Sequence, residues 1–144
     1  MKNIKRQVLV ICVANYCRSP VAEYILKNLH EDKFIILSAG IMPKYSHSMD
    51  PRSLNYLRNK GINLVNHVPR KVDSKLMKES DIILCLDHFV LSMLNKDYAK
   101  YADKIKLITY QNKEINIEDP YKHDEKKYIE CMEKINKVCS NLDI

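Results

Sequence analysis

At 144 residues, 46% of them hydrophobic, the chain is long enough for one domain with a core of its own and needs no disulfide staples. Its net charge of +6 favours anionic partners, but the 24 Lys and Arg residues are scattered, so a solvated basic surface is read in preference to a nucleic-acid or membrane face. Five cysteines, an odd number with no CxxC pair, exclude the paired framework of a small secreted domain and point to a reducing compartment.

Lys2, Lys5 and Arg6 precede an apolar run, Val8 to Ala14, that imitates a secretory leader. The run is at the short limit for one and leads straight into Asn15, Tyr16, Cys17 and Arg18. No other stretch approaches membrane-spanning length, so the expectation is a soluble cytoplasmic protein with a single domain over residues 1–144.

Val8 to Cys12 reads as the first strand, and Val21, Ile25, Leu26 and Leu29 then repeat on one helical face. Phe34 to Ala39 is the second strand. Leu54, Leu57 and Ile62 mark a helix around "SLNYLRNKGI" that Gly61 stops. Ile82 to Leu86 and Ile105 to Ile108 supply two more strands, and the first three runs are nearly continuous, as strands covered on both faces are. Tyr128, Cys131, Met132, Ile135, Val138 and Leu142 form the stripe of a C-terminal amphipathic helix. Strands alternating with helices predict an α/β fold, a doubly wound sheet of about four parallel strands flanked by helices. Ligands of such sheets bind beyond the carboxyl ends of the strands, which directs attention to the turn after Cys12. The irregular stretches 41–49 and 110–122 are candidates for site-forming loops.

From Cys12 the sequence runs CVANYCRSPVAE: a cysteine, five residues, Arg18, Ser19, then Pro20 opening a helix. A short loop between a strand end and a helix start can curl so that the N–H groups of Val13, Ala14, Asn15, Tyr16 and Cys17 point inward at one phosphate, with the helix dipole adding positive potential. Arg18 would close the cup with a bidentate grip that lysine cannot reproduce. In that field the Cys12 sulfur is expected to be held as thiolate and to act as a nucleophile near neutral pH. Ser19 can donate to that sulfur and ease its departure, and Asn15 can adopt left-handed dihedrals and knit the loop through its amide. Asp50 before Pro51 reads as a helix N-cap.

CVANYCRSPVAE resembles the signature of the low-molecular-weight protein tyrosine phosphatases, and the likeness extends through Ser38-Ala39-Gly40, "DPRSLNYLRNKGI", "DIILCLD" and "IEDPY" over nearly the whole chain. The resemblance implies hydrolysis of protein phosphotyrosine and small aryl phosphates, no cofactor, and tyrosine-phosphorylated proteins as partners. It implies Cys12 as nucleophile, Arg18 as phosphate grip and Asp119 as the acid for the leaving group and base for water, one carboxyl serving both steps. By the same resemblance Ser38 and His67 hold Asn15 and the loop in a strained shape, and Arg70 and Asp87 have structural or ion-pair duties. Cys17 could form a reversible disulfide with oxidised Cys12. The other histidines do not cluster at ligand spacing, so no metal is expected, and Cys85, Cys131 and Cys139 read as buried.

Three departures stand out. Ala14 replaces the usual glycine, which would crowd the loop if its φ were positive. Pro43 stands where an aromatic residue usually walls the cleft, leaving Tyr45 to substitute, with Tyr121 as the other wall. Lys122 follows Tyr121 where the family often has a second tyrosine. Arsenate reductase of this fold requires resolving cysteines near the third strand, and Cys85 has no such partner nearby. Arginine phosphatases place threonine where Tyr16 stands, and a mere phosphate-binding module would not need both Cys12 and Asp119.

Overall fold

The computed structural model describes residues 5–30 and 32–144; Lys2 of the basic opening lies outside the described residues. Four strands, β1 (Arg6–Cys12), β2 (Phe34–Gly40), β3 (Ile82–Cys85) and β4 (Ile105–Leu107), pair in parallel in the order β2-β1-β3-β4. Around them lie α1 (Arg18–His30), α2 (Pro51–Asn59), α3 (Ser74–Glu79), α4 (His88–Asp97) and α5 (Glu125–Asn141), with a 3-10 helix over Ala99–Lys104.

β1 is apolar without alternation because both its faces are covered. Val8, Val10 and Cys12 face a core shared with Val21, Ile25 and Leu26 of α1, Leu57 of α2 and Tyr128, Met132 and Ile135 of α5. Leu9 and Ile11 face the opposite core, with Met77 of α3 and Val90 and Leu94 of α4. Each of these aliphatic side chains contributes on the order of 1.5–3 kcal/mol relative to exposure, so β1 is the strand least able to shift.

The strand runs fall where the sequence predicts, with β1 beginning two residues earlier, at Arg6, and the carboxyl ends of the other three displaced by one: β2 reaches Gly40, while β3 stops at Cys85 and β4 at Leu107. The sequence reading did not include α3, α4 or the 3-10 helix. α3 has only 6 residues, and α4 commits just Val90 and Leu94 to the interior, too little for a readable stripe. Their starts are nevertheless written in the sequence, because Asp73 and Asp87 cap them through side-chain bonds from the Leu76 and Val90 amides at 2.8 and 2.9 Å. Asp50 and Asp124 cap α2 and α5 in the same way. Leu142 lies just past α5 yet is buried, completing the stripe.

The register brings Cys12 opposite Gly40, so the segments leaving β1, β2 and β3 emerge at one edge. Among the described residues, no helix is long and apolar enough to cross a membrane, and no group of His, Cys, Asp or Glu is arranged to hold a metal ion.

Candidate active site

The segment between β1 and α1 is shaped by what holds its carbonyl groups. Cys12, Val13 and Ala14 oxygens accept from the Ile41, Met42 and Lys44 amides at 3.2, 2.8 and 2.9 Å. Asn15 O bonds His67 Nε2 at 2.8 Å, Tyr16 O accepts from Asp50 N at 3.0 Å, and Cys17 O accepts from Ser53 Oγ at 2.9 Å. Every carbonyl from Cys12 to Cys17 is therefore drawn outward. A trans peptide sets its N–H opposite its C=O, so the amides of Val13 through Arg18 face the inside of the curl. One of them shows it directly, since Asn15 N–H donates to Cys12 Sγ at 3.2 Å. The N-terminus of the 13-residue α1 opens onto the same space, and the result is an anion cup with sulfur at its floor.

The curl needs one residue with positive φ, and it is Asn15 at 50°, the only non-glycine of that kind among the described residues. Ala14 does not take a positive φ, so its methyl group is accommodated without the strain that a missing glycine would otherwise imply. Asn15 is held on all sides. Its Nδ2 donates to Ser19 Oγ at 2.8 Å and Ser38 Oγ at 2.9 Å, and its Oδ1 accepts from Arg70 N at 3.0 Å. Arg70 also donates from Nε to Ser38 O at 3.0 Å.

These bonds have a direction. The Glu23 carboxylate accepts from Ser38 Oγ at 2.5 Å and from Lys27 Nζ at 2.6 Å. Ser38 therefore spends its proton on Glu23 and accepts from Asn15. Ser19, accepting from the same amide, is left with its own proton for Cys12 Sγ, 3.0 Å away. A buried chain from Glu23 thus ends in a donor aimed at sulfur. His67 sits beside it with Nδ1 3.8 Å from Glu23 Oε1, and burial holds its imidazole below the usual pKa range.

Arg18 is almost wholly buried. Its Nη1 donates to Asp87 Oδ2 at 2.8 Å and to the Ile117 carbonyl at 3.1 Å. Burial opposes its charge, yet Cys12 and Asp87 outweigh that and raise its pKa further. Nε and Nη2 have no protein partner among the described residues, which leaves the two parallel donors needed for a bidentate grip on an oxyanion.

A cavity of about 230 Å³ opens over the cup, lined by Cys12, Ala14, Tyr16, Cys17, Arg18, Lys44, Asp119 and Tyr121. The Tyr16 and Tyr121 rings stand edge to face, with centroids 6.2 Å apart, and Lys44 Nζ donates to Tyr121 OH at 2.9 Å. Asp119 reaches this cavity from the far end of the chain, its Oδ1 accepting from Tyr121 N at 3.1 Å. Cys17 lies beside the cup as a neutral thiol, pushed up to about 12 by burial.

Cys12, Asn15, Arg18, Ser19, Ser38, His67 and the loop residues Val13 to Cys17 are thus gathered at one place, with Asp119 and Tyr121 across the cavity. Tyr45 is not. It is 77% exposed and absent from the lining, because Lys44 is fastened to Ala14 and turns its own side chain inward, leaving its neighbour to solvent. The expectation of Tyr45 as a wall is corrected to Tyr16 and Lys44. Glu23, Lys44, Arg52 and Ser53 were not singled out from sequence. Glu23 stands inside the loop motif, and a carboxylate on the buried face of α1 was the available signal.

The family model described as low molecular weight phosphotyrosine protein phosphatase matches residues 7–143. The chain is 33% identical over 121 residues to a low molecular weight protein-tyrosine-phosphatase of Acinetobacter johnsonii, covering 83% of each chain. It is 29% identical over 101 residues to a protein-arginine-phosphatase of Bacillus subtilis, covering 68% of this chain and 67% of that one. The crystal structure of the tyrosine phosphatase Wzb from Escherichia coli K30 in complex with sulphate superposes with a TM-score of 0.87 at 25% identity, covering 95% of both chains.

Proposed function

Since the chain belongs to the low molecular weight phosphotyrosine protein phosphatase family, we propose that it hydrolyses phosphotyrosine in proteins, and small aryl phosphates, through a phosphocysteine at Cys12. The observation that carries the reading is the outward anchoring of every carbonyl from Cys12 to Cys17, which turns a run of amides onto one sulfur.

The phosphate dianion sits in the cup, its oxygens on the inward amides and on Arg18 Nε and Nη2. Cys12 Sγ attacks phosphorus, the P–O bond to the aryl group breaks, and Asp119 supplies the proton to the leaving oxygen. Asp119, now ionised, takes a proton from water as that water attacks the phosphocysteine. The S–P electron pair returns to sulfur, where Ser19 and Asn15 N–H receive the restored thiolate. The aryl ring is placed against the wall that Tyr16 and Tyr121 build by packing edge to face, and that aromatic wall supports a preference for phosphotyrosine over the smaller phosphoserine. Tyrosine-phosphorylated proteins are the proposed partners, and the unpaired cysteines support a reducing, cytoplasmic setting.

Cys12→Ser abolishes turnover of p-nitrophenyl phosphate on this reading, and Asp119→Ala costs about 10²–10⁴-fold on substrates with poor leaving groups. Rates on phosphotyrosine, phosphoserine and phosphoarginine peptides test the substrate, and a faster rate on phosphoarginine would overturn the tyrosine assignment.

A further inference from the structure

One side chain outside the reacting groups joins the two loops that must meet for the reaction. Arg52, in the first turn of α2, forks Nε and Nη2 onto the two Asp50 oxygens at 3.0 and 2.8 Å and lies 3.9 Å over the Tyr128 ring. The same guanidinium donates from Nη2 to Tyr121 O at 3.0 Å and from Nη1 to His123 O at 3.1 Å. Tyr121 is thereby held by its carbonyl, while its amide holds Asp119 Oδ1. At the other end, Asp50 N–H is bonded to Tyr16 O of the phosphate cup. The path from cup to acid runs Tyr16, Asp50, Arg52, Tyr121, Asp119, each step a direct hydrogen bond or covalent neighbour.

We propose that Arg52 is the positioning residue for the general acid, fixing the reach of the Asp119 carboxyl over Cys12 through Tyr121. The proposal rests on Asp119 being that acid. Several features assign this duty to the arginine side chain and not merely to the helix start. The N-cap of α2 is made by the Arg52 main-chain amide to Asp50 Oδ1 at 2.9 Å, and it survives any change of side chain. What the side chain adds is a planar fork serving a carboxylate and two carbonyls at once, which an ammonium cannot match. Burial pushes the Asp50 carboxyl up, but the Arg52 bonds outweigh it and hold the carboxyl below its ordinary range, so the pair is ionised and rigid near neutral pH. A misplacement of about 1 Å in an acid can cost on the order of 10²-fold, and this acid sits on an irregular segment whose carbonyls just beyond it, Tyr121 O and His123 O, are held by Arg52, while Arg18 and Lys134 hold Ile117 O and Asn116 O before it.

The test is a double-mutant cycle on the full chain, reading kcat/KM, which reports cleavage of the aryl ester. Wild type, Arg52→Gln, Asp119→Ala and the double variant are assayed with p-nitrophenyl phosphate, a good leaving group, and phenyl phosphate, a poor one. Arg52→Gln is expected to lose about 10-fold or more on phenyl phosphate, clearly less on p-nitrophenyl phosphate, and to add less than about 3-fold once Asp119 is gone. Arg52→Lys, which keeps a charge beside Asp50, follows the same pattern and carries the cycle if the glutamine variant does not fold. Equal losses on both esters, or an undiminished loss in the Asp119→Ala background, overturn the role of Arg52 alone. If Asp119→Ala shows no added sensitivity to the leaving group, the acid assignment falls and this proposal with it.

Discussion

Gly40 lies directly against Val13: a Cβ at position 40 would stand 2.7 Å from the Val13 carbonyl oxygen and 2.9 Å from the Asn15 amide nitrogen. Gly40 cannot retreat, because its N–H and C=O are bonded to Arg70 O and Val72 N at 2.8 and 2.9 Å. Closing the cup therefore requires a residue without a side chain at the end of β2.

Gly40→Ala is expected to cost about 1–3 kcal/mol in urea unfolding and to weaken inhibition by vanadate, since the added carbon pushes on the cup itself. Gly61→Ala supplies the contrast. Gly61 has φ 81° with nothing within 4 Å of an added carbon, so its replacement costs about 1–2 kcal/mol of strain while vanadate inhibition stays as it was. Equal effects on vanadate would refute the steric account.

The φ of 50° at Asn15 separates two contributions of that residue. Asn15→Gly loses the amide fork but keeps the backbone shape without strain, whereas Asn15→Ala loses the fork and adds about 1–2 kcal/mol of left-handed strain. The expected order of unfolding midpoints is Asn, then Gly, then Ala. An alanine variant as stable as the glycine variant would contradict the assigned conformation.

Glu23→Gln tests the direction of the chain that ends at Cys12. A carboxylate can only accept, which fixes the Ser38 proton; an amide can turn its NH₂ toward Ser38 and release the order of every bond beyond. The expected result is a folded enzyme whose kcat falls more than its kcat/KM, because the ordered Ser19 donor serves sulfur as the departing group. Unchanged kcat in pre-steady-state and steady-state assays would argue against the relay.

His67 gives the cup an acid limit. Its folded pKa is lowered by burial from the ordinary 6.5, so the unfolded chain takes up the proton first as pH falls. Its contribution to stability is therefore whole above the ordinary imidazole range and is lost as pH drops through the folded value. Urea midpoints measured between about pH 8 and about pH 5 should fall more steeply for wild type than for His67→Gln, which retains a donor for Asn15 O without titrating. Parallel slopes would remove His67 from the account.

Much of this site was legible because its parts are local. Cys12 to Pro20 announces a strand, a loop and a helix start in one stretch, and the unalternating run of Val8 to Cys12 correctly reports a strand covered on both faces. The clamps were not legible because they are distant in sequence. Arg52 meets carbonyls 69 and 71 residues away, and the amides that turn the cup outward come from 41–50, a segment with no periodicity to read. Tyr45 was misjudged for the same reason: only the bond from Lys44 N to Ala14 O decides which of two adjacent side chains enters the cleft. α3 and α4 escaped because capping aspartates, and not apolar stripes, mark their beginnings.

The central claim is that sulfur at position 12 carries the phosphoryl group between two chemical steps. Asp119→Ala lacks the base for the second step, so mixing it with p-nitrophenyl phosphate, quenching in acid and mapping peptides by mass should find one phosphoryl group on Cys12. A phosphoryl group on any other residue, or turnover by Cys12→Ser at the wild-type rate, would contradict the account.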